Sequence, residues 1–288
     1  MNAPVFKAGY LPGLDDAEVT WHRLSLGTAQ APLWVELPQL SPGQITALAQ
    51  RVQQASRLHL KTMTVSDIVC VLDKATARLL DSQDPYRQQL ERLLPQATGF
   101  DAEMLRLNLN AYLQTFRGLQ LQRFVAEDFA NPKVLDEFQP RTAGGWARAF
   151  GPELLVHVWA GNVPALPMWS FVSGLLVKAG SIGKVSSAEP VFATLFARLL
   201  AEVEPRWADC FAVVWWPSGA SHEHTAFALA DVVLAYGGNA ALQAMQAQVP
   251  VTARFLPHGH KLSFGMVSAA ALSVLKGPGV ARQAALDV

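Results

Sequence analysis

Two histidine pairs are the first residues whose spacing suggests chemistry. His222-Glu223-His224 and His258-Gly259-His260 each read H-x-H, which on a strand sets two imidazoles on one side, as a metal-dependent hydrolase would use them. The first pair, however, lies in a helical-looking segment where i and i+2 diverge, and no carboxylate cluster accompanies either pair, so no metal centre is expected. The only cysteines are Cys70 and Cys210. Cys70 lies in an apolar run that opens a helix, and Cys210 precedes Phe211-Ala212-Val213-Val214-Trp215-Trp216. Neither has the cationic or helix-N-terminal surroundings that make a thiol nucleophilic, so both read as small core residues.

Three short turns carry a different signal. In Ala160-Gly161-Asn162-Val163-Pro164, glycine permits a tight turn, and the asparagine amide either caps a following helix or faces charge developing on a substrate oxygen. In Lys184-Val185-Ser186-Ser187-Ala188-Glu189-Pro190, a cation and two hydroxyls suit a phosphate, although Ser187 also reads as a simple helix cap. In Tyr236-Gly237-Gly238-Asn239, paired glycines let backbone amides approach a phosphate or nicotinamide closely.

Each turn follows a short apolar run. Leu154–Trp159, Ile182–Val185, Ala212–Trp216, Val232–Tyr236 and Thr252–Leu256 read as strands. Between them Ala165–Lys178, Val191–Val203, Ser221–Leu229 and Ala240–Gln246 read as helices. Apolar strands without polar alternation, each followed by a helix, imply an α/β fold with a doubly wound, mostly parallel sheet covered on both faces. Ligands meet such sheets at the carboxyl ends of the strands, where all three turns lie. The end of the second strand faces the adenine ribose of a dinucleotide, so Lys184, Ser186 and Ser187 favour the 2′-phosphate of NADP(H). No G-x-G-x-x-G follows the first strand.

Up to about residue 140 the pattern is mostly helical, with starts at Ser41-Pro42-Gly43-Gln44 and Thr64-Val65-Ser66-Asp67, a helix over Ala102–Leu119 and a short one over Phe124–Phe129. Hydrophobic residues form 51% of the chain and charged ones 16%, against about 25% charged in an average soluble domain. Lysine plus arginine equals aspartate plus glutamate at 23 each, so no overall basic field exists to hold a nucleic acid. Residues 154–177 carry no charge, but His157, Asn162, Pro164 and Pro167 break them into strand, turn and helix, not a membrane span. The first 16 residues lack a basic-then-apolar leader, and a cytoplasmic protein is expected.

Together the strand-end motifs resemble the acyl-CoA reductases of the aldehyde dehydrogenase superfamily, of the LuxC fatty-acid reductase type. The resemblance rests on Phe150-Gly151-Pro152, Gly161-Asn162-Val163-Pro164, Lys184-Val185-Ser186-Ser187, Tyr236-Gly237-Gly238 and His258-Gly259-His260-Lys261-Leu262-Ser263-Phe264, with Leu135-Asp136-Glu137-Phe138-Gln139-Pro140 as a lead-in. It covers the second half of the chain well and the first half loosely. It implies a helix-rich region over 1–140 packing on a Rossmann-like NADP(H)-binding domain over 141–288 of the aldehyde dehydrogenase type. It also implies reduction of an acyl-CoA or acyl-protein thioester to an aldehyde through a cysteine acyl-enzyme.

By the same resemblance Asn162 is the oxyanion donor. Trp159, Ala160, Lys184, Ser186, Ser187, Gly219, Gly237 and Gly238 are the cofactor contacts, Lys184 and Ser187 at the adenosine ribose or its phosphate. Where oxidative aldehyde dehydrogenases carry a hydrolytic glutamate, this chain reads Pro257-His258-Gly259-His260-Lys261, which suits a reductase. The family's nucleophilic cysteine belongs just beyond the segment matching Val280–Val288, and neither Cys70 nor Cys210 matches it. The resemblance therefore implies a fragment lacking nucleophile and catalytic domain, inactive alone, with bare apolar surface that favours self-association or a partner subunit. A non-catalytic NADP(H)-binding module is the alternative.

Overall fold

The structure, a computed structural model, describes residues 5–28, 31–129, 131–217, 219 and 221–261, with positions 264, 266–268, 279, 280, 282 and 283 beyond them. Two compact units form, Met1–His258 and Gly259–Val288. The larger unit opens with β1 (Val5–Lys7), β2 (Thr20–Thr28) and β3 (Ala31–Gln39), a sheet of order β1-β3-β2. These strands were not expected. β2 is largely exposed and shows no regular alternation, and Pro32 and Pro38 argue against a central strand, although β3 pairs on both sides.

Five helices follow: α1 (Pro42–His59), α2 (Val65–Leu80), α3 (Pro85–Thr98), α4 (Ala102–Gln114) and α5 (Gly118–Asp128). The starts of α1 and α2 are reciprocal capping boxes, Ser41 with Gln44 and Thr64 with Asp67. Each serves two backbone donors, and losing such a cap costs about 1 kcal/mol. The expected helix Ala102–Leu119 stops at Gln114, and α5 starts at Gly118, earlier than Phe124. Helix α3 was missed because Asp84-Pro85 reads as a separator, whereas Asp84 caps and Pro85 takes the first turn. A two-stranded arm, β4 (Gln139–Pro140) with β5 (Trp146–Ala147), carries Trp146 at 68% exposure.

The parallel sheet comes next: β6 (Leu154–Val158), α6 (Pro167–Leu176), β7 (Gly180–Lys184), α7 (Val191–Val203), β8 (Phe211–Val214), α8 (Ser221–Leu229), β9 (Val232–Tyr236), α9 (Asn239–Gln246) and β10 (Arg254–His258). Its order is β10-β9-β6-β7-β8, every pair parallel. The doubly wound α/β expectation therefore holds. Alternate residues feed opposite layers: Leu154, Val156 and Val158 pack with α1, α8 and α9 through Leu48, Phe227 and Leu242, while Trp159 joins Phe171 of α6 and Phe196 of α7. That second core extends without a break into α2–α5. Residues 154–177 form β6, a turn and α6, and among the described residues no helix is long and apolar enough to cross a membrane.

Candidate functional site

The strand order fixes where a ligand crevice opens. From β6 the chain steps outward to β7 and β8, then returns past β6 to β9 and β10. The order reverses between β6 and β9, and the space beyond their carboxyl ends is the topological switch point. Register lines the ends up, Val158 standing opposite both Lys184 and Ala235. The turns after β6, β7 and β9 therefore share one edge.

The β6 turn carries Asn162. It is exposed and its amide makes no hydrogen bond among the described residues. It does not cap α6, which starts later than expected, at Pro167, with Leu166 at the cap position and no side-chain cap. Ala165, at φ 64°, turns the chain between them. A non-glycine residue in that region stores about 1 kcal/mol of strain. Gly161 fits the turn against its neighbour: a Cβ there would stand 2.7 Å from Ser186 Oγ and 3.0 Å from the Ala188 Cβ. Asn162 also lines a cavity of about 420 Å³ whose walls are mostly apolar, with Leu105, Leu109 and Tyr112 from α4 and Val163 and Leu166 from the turn.

The β7 turn carries Lys184, 8% exposed. Burial pulls its ammonium pKa down and the Glu223 carboxylate pulls it back up. Among the described residues its Nζ has no hydrogen-bond partner, an arrangement that a bound phosphate or ribose would complete. The two serines are less free. Ser186 Oγ accepts from the Ala188 amide at 3.2 Å, and Ser187 Oγ accepts from Trp215 Nε1 at 2.8 Å. Nor does Ser187 cap α7. Glu189 does, its Oε1 accepting the Val191 and Phe192 amides at 2.8 Å each. Burial pushes the Glu189 carboxyl up to about 7.

The β9 turn places Gly237 beside the crevice, its amide donating to the His258 carbonyl at 3.3 Å, and Gly238 caps α9 with no side-chain bond. The Trp159 side chain is committed to the core at 3% exposure, donating to Ser170 Oγ at 2.8 Å and filling the space above Gly183. Its amide donates to the Lys184 carbonyl. Ala160 is half-buried at the start of the turn. Gly219, at φ 76°, spends its amide on Glu223 Oε2 at 3.1 Å.

Other candidates lie elsewhere. Cys210 precedes β8, at the amino edge of the sheet, with its thiol pushed up to about 12 by burial. Cys70 is exposed, contrary to the core expectation, because α2 buries Val69, Val71 and Leu72 and turns position 70 outward. His222 and His224 stand on α8, and the His258 ring stacks on Tyr236 at 4.9 Å. His260 belongs to the smaller unit. Among the described residues no three His, Cys, Asp or Glu side chains converge. Sequence reasoning missed the α4 wall, whose signal was an excess of apolar residues (Phe100, Met104, Leu105, Leu109) over what one buried stripe needs.

Comparison with known proteins gives the family and the fold. The family model described as Acyl-CoA reductase (LuxC) matches residues 60–288. A long-chain acyl-protein thioester reductase from Photorhabdus laumondii is 26% identical over 211 residues, 71% of this chain and 44% of that protein. The chain spans about half the length of the curated relatives it matches. Among solved structures, aldehyde dehydrogenase 21 from Physcomitrella patens superposes with a TM-score of 0.69 at 15% identity, over 89% of this chain and 52% of that one. An NADP-dependent glyceraldehyde-3-phosphate dehydrogenase from Bacillus halodurans, complexed with NADP, gives 0.63 at 12% identity over 82% and 48%.

Proposed function

This chain belongs to the acyl-CoA reductase (LuxC) family, and from that premise we propose that it is the cofactor-binding part of an NADPH-dependent reductase of acyl thioesters. The observation that carries the reading is the unpaired Asn162 amide, at the switch point of the sheet and in the wall of a mostly apolar cavity. The amide donates to the thioester carbonyl oxygen as that oxygen gains charge, while the cavity takes the acyl chain. Relatives named long-chain acyl-protein thioester reductases favour an acyl-protein or acyl-CoA donor.

Lys184 and the edge formed by Gly161 and Ser186 fit a dinucleotide, with Gly237 and Gly238 at its pyrophosphate or nicotinamide. Bound NADPH supplies the electron pair that takes a thioester to an aldehyde. Lys184 would hold the 2′-phosphate or the ribose. The regions 1–140 and 141–288 serve as a helical support and a cofactor-binding part, and self-association or pairing with a subunit covers apolar surface such as Trp146 and Phe150.

Titrating the protein with NADPH and with NADH tests the reading, with tryptophan fluorescence as the readout. NADPH is expected to bind the more tightly, and Lys184→Ala to weaken it about tenfold or more, the loss of one charge-assisted contact. Failure of both nucleotides to bind would sink it. Because neither cysteine stands at Asn162, no acyl-CoA-dependent NADPH oxidation is expected from residues 1–288 alone. The same cysteine placement favours a second reading, a non-catalytic NADP(H)-binding module. Absence of any acyl adduct by mass spectrometry after incubation with acyl-CoA supports it, and an adduct removes it.

A further inference from the structure

Beyond the end of α4, a second cavity of about 210 Å³ opens between α5 and α6. The first takes Tyr112 from α4 and Leu166 from the turn before α6. The second takes Phe116, Trp169 and Ser173. Leu166, at the cap of α6, and Ser173 within it are about 10 Å apart along the helix axis at the helical rise. The two cavities share no lining residue among those described.

Aromatic rings stand between them. Tyr112 meets Phe116 edge-on at 5.0 Å and 73°, and Phe116 meets Trp169 at 5.5 Å and 73°. Phe124 closes on the far side of Trp169 at 5.2 Å. Phe116 is sealed in the core at 1% exposure, whereas Trp169 is 43% exposed and only half built in. Edge-to-face rings at these distances form a stable stop for an alkyl chain.

Resting on the reading that the first cavity takes the acyl chain, we propose that the Tyr112–Phe116–Trp169 cluster is the stop that sets acyl-chain length. The second cavity is then the extension that a chain enters once the stop is cut back. Each methylene buried in the first cavity multiplies affinity about fourfold, and the gain ends where the chain meets the rings. These rings are specificity-determining residues and touch no reacting atom.

Calorimetric binding of octanoate, decanoate, dodecanoate and tetradecanoate to the whole chain tests this. Wild-type affinity climbs with length and then levels off. In Trp169→Ala the plateau moves to a chain at least two methylenes longer, so the longer acids gain about tenfold over wild type. Tyr112→Ala, which removes the ring facing the first cavity, moves it in the same direction. Coincident plateaus in wild type and both variants would overturn the stop while leaving the acyl cavity intact. No binding of any of the four acids would instead overturn the acyl reading on which the stop rests.

Discussion

The two ends of the parallel sheet treat their polar groups differently. At the amino ends Asp231, Glu153 and Lys178 are all paired within the protein. Asp231 accepts the Glu153 and Leu154 amides at 2.7 and 3.0 Å, Glu153 pairs with Arg57 and Lys61, and Lys178, just before β7, pairs with Asp136 at 2.6 Å. At the carboxyl ends the Asn162 amide and the Lys184 ammonium have no hydrogen-bond partner among the described residues. Burying a cation without a partner costs stability, and a fold tolerates that cost where a ligand is to supply the partner. One edge satisfies its own polar groups, and the other leaves two without hydrogen-bond partners, as the proposed ligand edge requires.

Breaking the closed edge is expected to give the largest effect. Asp136→Ala strands the buried Lys178 ammonium and the Val65 amide, and a loss of about 3 kcal/mol is expected in urea unfolding. A loss under ~1 kcal/mol would mean that the amino edge is no tighter than the other.

Stability against pH sharpens the comparison further. His157, sealed in β6 with neither ring nitrogen bonded, has its pKa driven from 6.5 to about 3 by burial. The unfolded chain therefore takes up that proton first, and the contribution of His157, complete above 6.5, is lost as pH falls toward 3. Glu189, on the ligand edge, runs the other way. Raised from 4.5 to about 7, it contributes below 4.5 and loses that contribution as pH rises toward 7. Between 4.5 and 6.5 the slopes oppose each other. His157→Leu is expected to lose up to about 1.4 kcal/mol per pH unit relative to wild type as pH rises through that window. Glu189→Gln should show the opposite trend, and parallel stability curves for all three proteins would refute the assignment.

On the ligand edge the effects shrink and change sign. Lys184→Met removes a buried cation that lacks a hydrogen-bond partner, with its burial cost outweighing its attraction to Glu223, and should stabilise the fold by up to about 1 kcal/mol while weakening NADPH binding. Asn162→Ala should leave stability almost unmoved, within about 0.5 kcal/mol, since the amide bonds to nothing among the described residues. A large loss from Asn162→Ala would return it to a structural role.

Much of this was legible from local chemistry. The β6–β9 strands announce themselves as apolar runs, and Ser41 and Thr64 mark helix starts because capping is decided within four residues. The turns after β6, β7 and β9 fall at strand ends for the same reason. What escaped depends on distant partners. β2 and β3 exist because they pair with each other, not because of their pattern. Ser187 is held by Trp215, 28 residues away, and Glu189 took the capping task expected of it. The cavity beside Asn162 needs α4 to lie across it, which no spacing within either segment encodes.

Gly161 and Ser186 occupy what is nearly one volume. Their evolution is consequently coupled: a side chain can appear at either position only if the other stays small. Substitutions in the β6 turn must then be read together with those in the β7 turn. A library that randomises one turn while holding the other fixed explores only part of the foldable sequences.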